Sequence, residues 1–495
     1  MVLSSSVTVW SLTLALAYAQ VVQWGIAKRE PLEQSNLIRR QARSIEEIIT
    51  NDKANGGYFA TCKIGTPGQD VTLQLDTGSS DIWVPASDSG VCTKGQSSKG
   101  CLLGSYTAAI SSSFADAGEG SFSISYVDGS SAHGDYFTDV FEIGDTAVLN
   151  MTIGLGQETN IPYGLVGVGY IMNEASLNDR YPNLPVQMQK EGLIPTVAYS
   201  LWLNDLDAST GNILFGGIDT EKYQGDLTRI QVYKDPRSKM YTSFLVALTS
   251  LQAVSDTGSD FLSSAAFPIS VVLDSGTTLS YLPTDLAQEI WQEVGAQWSD
   301  ELNTAVLPCS LGDGTAGGYF SFGFAGAGGP VINVTMDELV LPLALGDTQP
   351  TFPEGSGPYA GQTACRFGIQ NFSSSTGATP FLLGDTFLRS AYVVYDLVNN
   401  EVGLAPTDFN ATESNVVPFA SHGATMPSAT AAPNQDALGE GGDGPNASGE
   451  PSYGASDGFK EQLNAASSVV AVTVLGWPQL VVVLGASVSL VFLSS

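Results

Sequence analysis

A mostly β protein built from two related halves is predicted, and two observations carry that prediction. The first is texture: 54 glycines and 24 prolines punctuate short, alternating apolar runs, the pattern of strands joined by turns. The second is a duplicated segment. Leu75-Asp76-Thr77-Gly78-Ser79-Ser80, closing with Trp83-Val84-Pro85, recurs as Leu273-Asp274-Ser275-Gly276-Thr277-Thr278, closing with Tyr281-Leu282-Pro283. In each copy an apolar strand (71–75, 269–273) delivers an Asp, a hydroxyl residue, a Gly and two more hydroxyl residues.

A strand ending in an Asp that must turn at once needs Gly for its backbone, and the hydroxyls can hold the carboxylate through short hydrogen bonds. Two such units can bring two carboxylates together across a pseudo-twofold axis. A pair that close cannot easily ionise both members, so it shares a proton and can act as acid and base at once. Asp76 and Asp274 are the candidate catalytic pair. Thr77, Gly78, Ser79, Ser275, Gly276 and Thr277 support them, with Ser79 and Thr277 placed to bond the outer carboxylate oxygens.

Downstream of each Asp lies a Leu-Xaa-Gly step, Leu165-Val166-Gly167 and Leu382-Leu383-Gly384. With Tyr58-Phe59-Ala60, Ile64-Gly65-Thr66-Pro67, Ser125-Tyr126-Val127-Asp128-Gly129-Ser130 and 211–219, these segments resemble the pepsin-like aspartic endopeptidases over residues 58–406. That resemblance implies a bilobal pepsin-like fold with pseudo-twofold symmetry, lobes at 55–230 and 231–408, and a cleft between them. It also implies hydrolysis of peptide and protein substrates without cofactor or metal. Tyr126 would sit at the tip of a flap hairpin over the cleft, backed by Trp83. Val127 departs from the Gly that many members carry there. Asp128 matches the flap Asp of relatives that accept a basic side chain before the scissile bond, so it is a candidate substrate contact. The short 92–101 loop, with Lys94 and Lys99, argues the other way.

Two decoys lie in the chain. Asp256-Thr257-Gly258-Ser259 copies the first motif letter for letter, and Asp88-Ser89-Gly90 copies the start of the second, but neither follows an apolar strand. Asp256 reads as a solvated turn. Asp274 instead precedes a helical pattern opening at Thr284, read as a capped start.

Other enzyme classes fail on inventory. Of the two histidines, His133 lies just past the flap segment and His422 in a low-complexity stretch, which leaves little for a Ser-His-Asp or metal site. A glycosidase also uses two carboxylates but explains neither the symmetric loops nor the Leu-Xaa-Gly steps. A pepsin-fold binding protein without activity would be expected to lack one of the Asp residues, and both are present. Net charge is −31, which disfavours nucleic acid and anionic membrane surfaces as partners.

The ends read as processing signals. Residues 1–19 form a signal peptide, apolar from Val7 to Ala17 and closing in Ala17-Tyr18-Ala19. Residues 20–43 follow as a pro-segment with dibasic sites at Lys28-Arg29 and Arg39-Arg40. Residues 409–463 are rich in Ala, Ser, Thr, Gly, Pro and Asn and read as a disordered stalk. Residues 464–495 turn apolar with no charge, after small residues at Asn464-Ala465-Ala466. They resemble a glycosylphosphatidylinositol (GPI) attachment signal, with Asn464 as the candidate lipidated residue. A transmembrane span would normally carry Lys or Arg beyond it. A stalked, GPI-anchored enzyme of this kind is similar to the fungal yapsins, placed through the secretory pathway at the plasma membrane or cell wall. It is expected to act as a monomer.

Secretion agrees with five cysteines and no CxxC pair. The resemblance pairs Cys92 with Cys101 and Cys309 with Cys365. Cys62 is left over, on a strand face shared with Ala60 and Ile64, and is expected as a buried thiol. Sequons stand at Asn150, Asn333, Asn371, Asn410 and Asn446.

Overall fold

A computed structural model of the chain describes residues 21–28, 57–93, 101–126, 129–176, 179–208, 210–256, 258–263, 267–313, 318–343, 349–372 and 381–435. The signal peptide, most of the pro-segment, the GPI signal, Asp128, Lys94, Lys99, Asn446 and Asn464 lie outside the described residues.

The duplicated segment folds the same way twice. In the first half, the strand Gln69–Asp76 lies parallel to Gly164–Gly167, with Asp76 opposite Gly167, and Ile82–Pro85 runs antiparallel to that same short strand. In the second half, Ile269–Leu273 lies parallel to Phe381–Leu383, with Leu273 opposite Leu383, and Ser280–Pro283 meets that strand antiparallel. The glycine of each Leu-Xaa-Gly step is there because nothing larger fits. A Cβ on Gly167 would stand 2.6 Å from the Ser80 amide nitrogen, and one on Gly384 would stand 2.2 Å from the Thr277 carbonyl oxygen.

A shared sheet joins the halves. From one edge its order is Ala429–Ala431, Leu227–Gln231, Glu401–Pro406, Ala391–Asp396, Ala198–Trp202, Thr210–Phe215, Val22–Lys28, Tyr58–Ile64. At its middle, Ala198–Trp202 and Ala391–Asp396 pair antiparallel, one from each half, with Ser200 opposite Val394. Both strands are buried along their whole length, so they read as near-continuous apolar runs without alternation. The Tyr199 and Tyr395 rings meet there at 5.0 Å, with Phe244 4.5 Å from Tyr395. Rings of this size are worth about 1.5–3 kcal/mol each when removed from water.

Among the described residues, the rest of the second half adds a separate eight-stranded sheet, a four-stranded sheet and the helix Thr284–Val294. Gly295 closes that helix in the left-handed region, at φ 66°. Its start differs from the capped expectation: Pro283 occupies the capping position and no side chain bonds the free amides. The short helix Asp385–Leu388 leads into Arg389, which is buried and ion-paired with Glu338 of the helix Met336–Leu339.

Residues 22–28, assigned from the sequence to the pro-segment, form a full strand of the shared sheet. Val22, Trp24 and Ile26 are buried there, and the Trp24 indole donates to the Thr61 carbonyl at 3.0 Å. Residues 409–435 correct the expected stalk boundary. Val416–Pro418 pairs with Gly217–Asp219, and Ala429–Ala431 pairs in parallel with Leu227–Gln231. Phe419 and Met426 are 0% and 2% exposed. The Lys222 ammonium donates to the carbonyls of Ala411 and Glu413, and the Asp219 carboxylate accepts from the Ser414 hydroxyl and the Asn415 amide. Too few apolar residues to build a core of their own are enough to complete one that exists, so only residues beyond 435 remain as stalk candidates.

Disulfides join Cys92 to Cys101 and Cys309 to Cys365, and Cys62 is a buried thiol. Its strand alternates as read, with Thr61 and Lys63 exposed. Asn150, Asn333 and Asn410 are exposed and Asn371 is half-buried. Among the described residues, no helix is long and apolar enough to cross a membrane.

Candidate active site

The carboxylate of each Asp-hydroxyl-Gly segment is oriented by its own loop in the same way. The Gly78 amide donates to Asp76 Oδ1 at 2.8 Å and the Ser79 hydroxyl to Asp76 Oδ2 at 2.5 Å. In the second half, the Gly276 amide donates to Asp274 Oδ1 at 2.8 Å and the Thr277 hydroxyl to Asp274 Oδ2 at 2.6 Å. Both Asp residues are buried, at 3% and 8% exposure.

Thr77 and Ser275 take a part the sequence did not reveal. Neither bonds its neighbouring carboxylate. The Thr77 hydroxyl donates to the Leu273 carbonyl at 3.0 Å and accepts from the Ser275 amide at 2.9 Å. The Ser275 hydroxyl donates to the Leu75 carbonyl at 3.1 Å and accepts from the Thr77 amide at 3.2 Å. These four reciprocal bonds lock the loops to each other. The carboxylates come together as a result. A Cβ on Gly78 would stand 2.5 Å from Asp274 Oδ1, and one on Gly276 would stand 2.2 Å from Asp76 Oδ1. Glycine at Asp+2 therefore serves the opposite half as well as its own turn.

Tyr126 directly follows the first strand of a long hairpin, Ala115–Ser125 with Ser131–Ile143, where Ser125 faces Ser131. Its hydroxyl accepts a 2.8 Å bond from the indole of Trp83, which is itself fully buried. The structure thus brings Tyr126 and Trp83 into contact. Both decoys fall away: Asp256 and Asp88 are exposed turn residues.

Beside the first loop lies a second acidic cluster that sequence reasoning missed. Asp81 follows Ser80 and is fully buried, accepting from the hydroxyls of Tyr136 and Tyr181 and from the Ala175 amide. Glu174, 2% exposed, accepts from the Tyr181 amide. Burial raises the Glu174 pKa to about 8. The Asp81 charge adds to that rise, while the Tyr181 amide and Arg180 oppose it. The only available signal was Asp81 itself, an acid placed immediately before the apolar strand Ile82–Pro85.

Residues 57–407 match the family described as eukaryotic aspartyl protease. The chain is 39% identical over 406 residues to a probable aspartic-type endopeptidase, opsB, of Aspergillus fumigatus, covering 81% of this chain and 78% of that protein. It is 35% identical over 394 residues to an acid protease of Saccharomycopsis fibuligera, covering 77% and 90%. Against aspartic proteinase 3 of Saccharomyces cerevisiae the identity is 32% over 470 residues, covering 80% and 77%. With the twofold loops in place and a family match spanning both of them, this chain belongs to the eukaryotic aspartyl proteases and is an aspartic endopeptidase.

Proposed function

We propose that Asp76 and Asp274 are the catalytic pair and share one proton around a water molecule. The ionised carboxylate takes a proton from water as the water oxygen bonds to the scissile carbonyl carbon. The protonated carboxyl donates to the carbonyl oxygen. The tetrahedral intermediate then collapses: the carbon–nitrogen bond breaks as the leaving nitrogen takes a proton, and the dyad returns to its starting state. No covalent enzyme intermediate is needed. The reading rests on one observation above all, that each loop's glycine packs against the other loop's carboxylate.

Tyr126 would close over the substrate from the flap, and its bond to Trp83 holds the ring in place. Asp128 would pair with a basic side chain before the scissile bond, giving a preference for Lys or Arg over broad apolar cleavage. The signal-peptide pattern, the sequons and the apolar carboxyl end support a secreted, glycosylated, GPI-anchored monomer of yapsin type at the cell surface.

Three variants test the catalytic assignment. Asp76→Asn and Asp274→Asn should each lose several orders of magnitude in kcat with the fold intact, because each removes one role of the pair. Asp256→Asn should cleave like the parent. Activity lost in Asp256→Asn and kept in Asp274→Asn would overturn the choice of second loop. For Asp128, a peptide library cleaved by the parent and by Asp128→Ser decides: Lys and Arg should be enriched before the cut, and the substitution should abolish that enrichment.

A further inference from the structure

The two catalytic loops are copies, yet the strands that deliver them differ at one buried position. Two residues before Asp76 stands Gln74, and two residues before Asp274 stands Val272. Strand periodicity puts residue Asp−2 on the same face as the Asp. Gln74 is 0% exposed, and its side-chain Nε2 crosses to the other half to donate to the Gly276 carbonyl at 3.3 Å. Its Oε1 is buried with no protein partner. Gly57 closes over the same side chain, and a Cβ there would stand 2.9 Å from Gln74 Nε2.

The corresponding carbonyl of the first loop is also held by a carboxamide, from a different place. Asn173 Nδ2 donates to the Gly78 carbonyl at 3.0 Å. Each loop therefore has its glycine carbonyl bonded by a side-chain amide, from a buried residue in the case of Gln74 and from an exposed one in the case of Asn173.

We propose that Gln74 is a positioning residue for the second catalytic loop, with Asn173 as its counterpart on the first. The Gly276 carbonyl belongs to the peptide linking Gly276 to Thr277. Holding that peptide fixes the Gly276 amide and the Thr277 hydroxyl, the two donors that orient Asp274. The chemistry of the group matters. A carboxamide donates at every pH and carries no charge. A Lys or Arg in its place would hold the dyad ionised, and an acid would stop donating once it lost its proton. A buried Gln with an unpartnered oxygen carries a desolvation cost at that oxygen, which its bond to the Gly276 carbonyl offsets. The inference rests on Asp274 being half of the catalytic pair.

The experiment compares the full-length parent enzyme with Gln74→Met, Gln74→Glu and Asn173→Leu, with Asp274→Asn as control. Gln74→Met keeps volume and removes the donor. Its kcat should fall about tenfold or more with KM within about twofold when assayed well below its melting temperature, which the unpartnered Gly276 carbonyl should lower by a few degrees. Gln74→Glu donates only while protonated, so it should approach parental kcat at low pH and lose activity at a lower pH than the parent. Asn173→Leu should lower kcat without lowering the melting temperature. Parental kcat in Gln74→Met, a kcat loss that disappears when each enzyme is assayed well below its own melting temperature, or an unmoved alkaline limb in Gln74→Glu overturns the proposal. An active Asp274→Asn overturns the catalytic pair itself, which keeps the two failures apart.

Discussion

Held among Tyr181, Asp81 and Arg180, the Glu174 carboxyl keeps its proton up to about pH 8 in the folded chain, against an ordinary value of 4.5. Between those values the folded state binds more protons than the unfolded one, so stability falls as pH rises through that window. Glu289 acts with the same sign: burial first, and then Asp285, raise it to about 7. Glu174→Gln cannot ionise and should retain the bond from the Tyr181 amide. Its melting temperature should match the parent near pH 4 and exceed it increasingly towards pH 8. A variant melting lower than the parent at every pH would show that the carboxyl is needed for packing and does not act through its proton. Asp81 follows the first Asp-hydroxyl-Gly loop and Tyr136 stands on the hairpin strand Ser131–Ile143, so this cluster lies beside the candidate site.

Among the elements, the segment 409–435 carries a test of its own. It contributes two short strands and the buried side chains of Phe419 and Met426. Phe419→Ala should cost about 3–5 kcal/mol, read as a lower denaturant midpoint. A chain ended at residue 408 should lose more, and one ended at 435 should behave as the parent. Equal midpoints for all three would mean that the segment only decorates the surface. Its misreading as stalk has a physical cause. The contacts that order it reach back about 195 residues, as from Ser414 to Asp219, and leave no local periodicity to detect. The catalytic loops were legible for the opposite reason, because the duplication repeats a local chemistry. Even there, the hydroxyls at Asp+1 bond across the halves, and Gln74 gave no local sign of reaching Gly276.

The whole molecule is strongly acidic, at −31. Self-repulsion grows as its carboxyls ionise, and the proposed pair of Asp76 and Asp274 would lose its shared proton over the same direction of pH. The pH–rate profile should therefore fall towards alkaline conditions, and a rate still climbing above about pH 8 would contradict the shared-proton mechanism. If the carboxyl end carries a GPI anchor, phosphatidylinositol-specific phospholipase C should release the enzyme from cells, or β-glucanase if it has passed to a fungal wall. Truncation after Ser456 should send active enzyme into the medium. Retention through phospholipase and carbonate treatment would favour a transmembrane anchor instead.

The reciprocal lock between Thr77 and Ser275 also sets a schedule for biosynthesis. The two residues are 198 positions apart, and the strand ending at Leu383 is made later still. At about 5–20 residues per second, roughly 10–40 s separate the appearance of the first loop from that of the second. On the proposed pairing, the nascent chain would carry one carboxylate without its partner throughout that interval, so chain order alone would delay peptide hydrolysis until both loops are made.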